Sequence, residues 1–170
     1  MARTALIRYG AVPDVERFRV DVDEPLSRGA RVVVRTRRGT EIGTVLEMFD
    51  GEEPTEIDPT LCALRSASAE DEQEWSSLQQ ACQSEFDEWV GRIDHWKLEL
   101  ELIDLEWTLD RQKQILYVLN DRGPDCTRLA IQAAADGLGT IEVQPVGSDG
   151  PVHAPASGGC GSGCGCHTAN

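Results

Sequence analysis

The side chains best suited to chemistry gather at the C-terminal end. Cys160, Cys164, Cys166 and His167 place four soft ligands within eight residues. Thiolates bind zinc, copper(I) or iron–sulfur clusters, and an imidazole can complete a fourth position. The glycines between them permit the sharp turns that wrapping a small centre requires. The spacing fits no standard zinc pattern, and Cys-x-Cys strains a chelate around one ion. Three readings stay open: a metal or cluster site, a redox-active tail, and an inert tail. Cys126, at the start of an expected helix where a thiolate is favoured, could add a ligand from outside the tail.

Other candidates have ordinary explanations. Cys82 falls on an apolar stripe and reads as an inert buried thiol. Glu99, Glu101, Asp104 and Glu106 occupy the polar alternates of a strand, which is the pattern of a solvated face. His95 stands near a helix end, and His153 sits in a Pro/Ala loop. Neither a phosphate-binding glycine loop nor a nucleophile–histidine–acid arrangement is legible, so the expectation is that the protein is not an enzyme.

Composition narrows the rest. The chain has 170 residues, 40 % of them hydrophobic, and a net charge of −14. So negative a chain argues against a broad nucleic-acid surface, which needs an excess of Lys and Arg. No apolar run approaches the ~18 residues of a membrane span, and the first residues lack a signal-peptide core. A cytoplasmic protein that does not insert in a membrane is expected. In a reducing compartment, clustered cysteines read as a metal or redox site before they read as disulfides.

The elements that must position these groups can be taken in chain order. Residues 4–8, 16–22, 31–36 and 41–48 read as short strands with glycine at the turns, a small barrel-like unit. Arg28, Arg31, Arg35, Arg37 and Arg38 concentrate positive charge there. They read as an exposed strand face and turn paired with acids such as Glu41, or as a contact for RNA or an acidic partner. Residues 50–60, acidic with two prolines, read as a linker, and residues 61–65 as a further short strand. Ser68 with Asp71 forms a capping-box signature, and Glu70, Asp71 and Glu72 suit the first turn of a helix. Trp75, Leu78, Cys82, Phe86, Trp89, Ile93 and Trp96 follow at steps of three and four, one continuous helical face. That face packs on its own sheet or leaves a seam through which a homodimer could form.

Residues 97–120 read as a long β-hairpin. Leu98, Leu100 and Leu102 are even, whereas Ile103, Leu105, Trp107 and Leu109 are odd. One extra residue, a bulge near Leu102–Ile103, would return both sets to one face. A second helix is expected over residues 126–136, capped by Asp125 and stopped by Gly137, with Cys126, Leu129, Ala130, Ala133 and Ala134 inward. A last strand covers residues 140–146. The expected fold is α+β: a small N-terminal β-barrel-like unit, an α-β-β-α-β layer with one long helix, then a flexible Cys/Gly-rich tail. The expected boundaries are residues 1–60, 61–147 and 148–170.

Several segments together resemble the bacterial YaaT/RicT family, marked by a polymerase-suppressor-type C-terminal domain. Residues 28–45, RGARVVVRTRRGTEIGTV, are similar to that family's strand–turn–strand. Residues 64–71, LRSASAED, resemble its helix start, and residues 102–110, LIDLEWTLD, resemble its strand motif. Residues 115–117, 125–129 and 141–144 extend the likeness in order. The resemblance implies a cytoplasmic, non-catalytic regulatory or adaptor subunit. It would belong to an iron–sulfur-containing complex with other protein subunits and an endoribonuclease, promoting RNA processing; direct nucleic-acid binding by this chain is not expected, on the charge argument above. It also implies an iron–sulfur cluster as cofactor, with zinc as the alternative. A small metal-binding or redox protein acting through the cysteine tail is the competing expectation.

Overall fold

A computed structural model describes residues 3–51, 57–119 and 123–153. Both strands and helices are present, and the fold is α+β with a closed five-stranded barrel. The barrel comprises β1 (Arg3–Tyr9), β2 (Asp14–Val20), β3 (Arg31–Arg35), β4 (Thr40–Asp50) and β5 (Cys62–Ser66), in the order β1-β2-β5-β3-β4. β1 pairs with β4 to close it, and β2 pairs with β5 in parallel, Arg19 opposite Cys62. The hydrogen-bonded first unit therefore reaches Ser66, past the boundary expected at residue 60. Alternation fills its interior: Ala5, Ile7, Tyr9, Phe18, Val20, Val32, Val34, Val45 and Ala63 form one buried cluster. The Tyr9 and Phe18 rings meet edge to face, with centroids 5.5 Å apart.

Helix α1 (Ala69–His95) follows directly. Its N-cap is Ser68, whose hydroxyl accepts from the Asp71 amide while the Asp71 carboxylate accepts from the Ser68 amide, the expected capping box. Arg65 also pairs with Asp71 and holds that carboxyl well below its usual range. Over 27 residues the helix runs to roughly 40 Å. Cys82, Trp89 and Ile93 are buried against the sheet and Leu78 is buried as well, whereas Trp75 stacks on Arg31 of the barrel, whose guanidinium lies 4.6 Å from the ring centre. The tryptophan stripe thus has two destinations inside the chain.

The second sheet runs β6 (Glu101–Trp107), β7 (Gln114–Leu119), β8 (Ile141–Gly147) and β9 (Gly150–Pro151). The pairing of β6 with β7 slips between Leu102, opposite Val118, and Asp104, opposite Tyr117. Ile103 is the extra residue. The bulge returns Leu105 to the face of Leu102, as the parity of the sequence requires, and leaves Ile103 itself 41 % exposed. β9 pairs with the end of β8, so residues 150–151 extend the sheet where the tail was expected to have begun.

Helix α2 (Pro124–Ala135) starts two residues earlier than expected. Its N-cap is Gly123, with Pro124 in the first turn, where a missing N–H costs nothing. Asp125 does not cap it. That carboxylate accepts from the Glu99 amide at 2.8 Å and so ties α2 to the entrance of β6. Leu129 and Ala133 are buried on the sheet, while Ala134 is exposed.

β7 lies between two layers. Leu116 and Val118 face α1 and α2, in a cluster with Cys82, Trp89, Ile93, Leu102, Leu105, Leu129 and Ala133. Ile115 and Tyr117 face the other way, against Val146 and Val12 of the β1–β2 turn. The barrel covers that second face, which is why every residue from Ile115 to Val118 is fully buried. No helix among the described residues is long and apolar enough to cross a membrane.

Candidate functional site

Cys160, Cys164, Cys166 and His167 lie outside the described residues, as do residues 52–56 of the expected linker. The remaining cysteines are placed, and none is disulfide-bonded. Cys82 is buried under α1, and that burial pushes its thiol up to about 12. It is inert at neutral pH. Burial also raises the Cys62 thiol, which donates to Asp21 at 3.1 Å. Cys126 is half-buried on α2 and packs on the cluster around Leu129.

Two constellations form at the junction between barrel and sheet. In the first, Arg38 leaves the β3–β4 turn and enters the junction, where its side chain is 10 % exposed. It forms a two-pronged pair with Glu41, whose second oxygen also accepts from the Thr36 hydroxyl at 2.5 Å. From the opposite side Arg38 donates to the Tyr117 hydroxyl at 2.5 Å, and that hydroxyl donates to Glu106 at 2.6 Å. Glu106 also accepts from the Ala11 amide at 3.0 Å. One guanidinium thereby joins two carboxylates and a phenol drawn from β4, β6 and β7.

Electrostatics follow from that enclosure. Burial pushes the Glu41 carboxyl up to about 7 against the opposing pull of Arg38. For Arg38, burial works toward release of the proton, but Glu41, Tyr117 and Glu106 outweigh it and raise the guanidinium further. The Tyr117 phenol is raised well above its ordinary value by burial and by Glu106. At neutral pH it is a neutral hydroxyl that relays a hydrogen bond.

The arrangement corrects one expectation: Glu106 is not on a solvated face. The bulge at Ile103 sets Asp104 and Glu106 on the side of β6 that faces the barrel. A signal was present in the sequence, because Tyr117 sits inside an otherwise apolar run and a buried phenol needs a partner. The partner itself was not legible, since Arg38 is 79 residues away. The expectation that Arg38 pairs with Glu41 holds, but the pair is buried.

In the second constellation His153 meets Asp14 at 2.9 Å, and the ligand atoms of Asp14, Glu16 and His153 lie within 4.8 Å of one another. Two carboxylates and an imidazole form a donor set for a divalent cation. Glu16 is already neutralised, since Arg37 donates to it at 2.9 Å and the Tyr9 hydroxyl at 3.2 Å. Arg37 continues to Asp58 at 2.6 Å. The group is held together by the Arg37 ion pairs to Glu16 and Asp58 and by the contact of His153 with Asp14.

Beside these clusters a cleft of about 790 Å³ opens between the barrel, α1 and β6. Arg8, Tyr9, Ile42 and Thr44 form its barrel wall, and Trp75, Gln79, Gln83 and Phe86 form its helix wall. Its third side consists of five consecutive residues, Ile103 to Trp107. A cleft of this size, with walls of mixed polar and apolar side chains, suits a ligand or a segment of another chain. Comparison with protein-family models, with curated proteins and with solved structures finds no match to this chain.

Proposed function

We propose that the protein is a non-catalytic adaptor, a regulatory subunit that holds other proteins in a complex. The cleft between the barrel and the α1–β6 layer is the observation that supports this reading. It is broad, its walls come from three separate elements, and the buried Arg38 cluster fixes the two units that frame it. Titratable groups beside it are engaged in holding the frame: one carboxylate oxygen of Glu106 accepts from both Tyr117 and Ala11, and Cys82 is protonated. The YaaT/RicT resemblance supplies the kind of complex, one that promotes RNA processing with an endoribonuclease, and the reading of residues 61–147 as a polymerase-suppressor-type layer.

The test is isolation of the full chain from its own cells under native conditions, followed by stoichiometric analysis of what stays bound. A defined set of protein subunits that includes a nuclease is expected. Recovery of the chain alone, at cellular concentration and low salt, would overturn the adaptor reading.

A further inference from the structure

We propose that the joint between barrel and sheet is a proton switch: when Glu41 takes up a proton, the Arg38 guanidinium passes from Glu41 to Glu106. An ion pair within the barrel then becomes one that ties the barrel to the sheet. The switch needs no partner, so it stands apart from the adaptor reading.

The enclosed set holds one guanidinium, Arg38, two carboxylates, Glu41 and Glu106, and the neutral phenol of Tyr117. One negative charge is left over. The Glu41 side chain is 2 % exposed, against 10 % for Arg38 and 14 % for Glu106. A surplus charge so far from water is relieved by binding a proton, and the most enclosed carboxylate gains most from it. Burial places the Glu41 carboxyl near 7, where small changes of pH alter its charge.

The two carboxylates belong to different units. Glu41 stands on β4, in the same hairpin as Arg38, and its oxygens meet the guanidinium at Nη2 and Nε. Glu106 stands on β6, and its Oε2 lies 3.6 Å from the same Nη2. Charge-assisted bonds are ~2.8 Å long, so a shift of roughly 1 Å completes the second pair. The bond from Arg38 to the Tyr117 hydroxyl already points that way, at 2.5 Å.

A place for the proton is built in. The Thr36 hydroxyl lies 2.5 Å from Glu41 Oε2 and 3.3 Å from the Gly39 carbonyl. While Glu41 is ionised, that hydroxyl donates to the carboxylate. Once Oε2 has taken a proton from solvent, the carboxyl donates to Thr36 Oγ1, and the Thr36 hydroxyl turns to Gly39. The Arg38 amide donates to the same oxygen at 3.0 Å. One hydroxyl proton and two lone pairs satisfy both arrangements. The other groups around Glu41 keep their charge. Tyr9 of β1 and Tyr117 of β7 are phenols that burial raises, and they stay neutral. Asp110 of the β6–β7 turn stands beside Gly39 and accepts from the Thr108 hydroxyl at 2.7 Å. Glu106 borders the cleft, so the proton on Glu41 also sets the charge that this wall presents.

The experiment titrates the full chain from about pH 5 to 9, two units on either side of the raised Glu41 value. NMR follows the carboxyl carbons of Glu41 and Glu106 and the Nε–H of Arg38. Protection of the Ala11 amide against exchange is measured over the same span, because that amide donates to Glu106 across the joint. The Glu41 carbon should titrate near neutrality, with the Arg38 Nε–H moving in step. Ala11 protection should fall several-fold as the pH rises through that midpoint. Glu41→Gln, neutral at every pH, should hold the higher protection throughout. Glu106→Gln, with no charge to receive the guanidinium, should show low protection that does not vary. A proton that enters at Glu106, a Glu41 carbon that titrates in the ordinary glutamate range, or Ala11 protection that ignores the Glu41 titration would each overturn the switch. These three outcomes are read on the unaltered chain, whether or not either variant folds.

Discussion

Gly10 sits in the β1–β2 turn where the barrel meets the sheet, and a side chain there is crowded as well as strained. Its φ of 85° lies in the left-handed region, and a Cβ would sit 3.0 Å from an Arg38 nitrogen, from the Tyr117 hydroxyl and from the Val12 carbonyl. Gly29 has a nearly identical φ of 86°, yet nothing stands within 4 Å of its would-be Cβ. The pair separates backbone strain from crowding. Gly29→Ala should cost about 1 kcal/mol, the left-handed penalty alone. Gly10→Ala should cost at least twice that, roughly 2–4 kcal/mol, because the three-way contact must also open. Urea unfolding of the two variants checks this, and equal losses would mean that the junction yields freely. In the sequence both glycines read simply as turn residues. What distinguishes them is a contact with Tyr117, more than a hundred positions away in the chain, and no local pattern encodes that.

At the scale of elements the Ile103 bulge was the most legible feature and remains the most informative. The parity switch from Leu102 to Leu105 demanded it, and the register confirms one extra residue. The capping box at Ser68 was equally legible, because both its partners lie within one turn. By contrast, α2 starts two residues before the expected position: Asp125 has the pattern of a cap but is drawn off to the Glu99 amide, a partner that no i-to-i+3 rule could supply. The bulge also has a consequence for stability. Leu102 and Asp104 already pair with Val118 and Tyr117, consecutive residues of β7, so excising Ile103 would leave both pairings intact. Its apolar side chain is largely outside the core. Deletion of Ile103 should therefore keep a cooperative fold, with stability changed by no more than about 1 kcal/mol, as for other surface changes that leave the core packed. A straightened β6 would lose a device that blunts exposed edges, so the shortened chain should self-associate more readily. Thermal unfolding and sedimentation of the deletion variant measure the two effects. A collapse of the fold would show that the bulge serves the core.

For the whole molecule, the question is what makes barrel and sheet one body, and the buried Arg38 cluster answers it. A charge so enclosed is costly unless its partners stay in place, so breaking the set from one side should cost far more than replacing it. Arg38→Met would leave Glu41 without its cation and Glu106 with only its neutral partners. A loss of about 3–5 kcal/mol is expected at neutral pH. The loss should shrink in acid. Glu41 has a folded-state pKa near 7 against an ordinary value of 4.5, so its protonated form is the one that folding favours. Its contribution is therefore complete below about pH 4.5 and disappears as the pH rises through 7. In the absence of Arg38 that dependence should steepen, because the only remaining way to remove the buried charge is to bind a proton. Adding Glu41→Gln to Arg38→Met should then recover most of the stability and flatten the profile between pH 5 and 8, the span about the raised Glu41 value. Chemical denaturation of the two single variants and the double variant across that range closes the cycle. If the single and double variants show the same pH dependence, Glu41 is not the group that titrates and the junction is held by packing at Val12, Ile115 and Val146 instead.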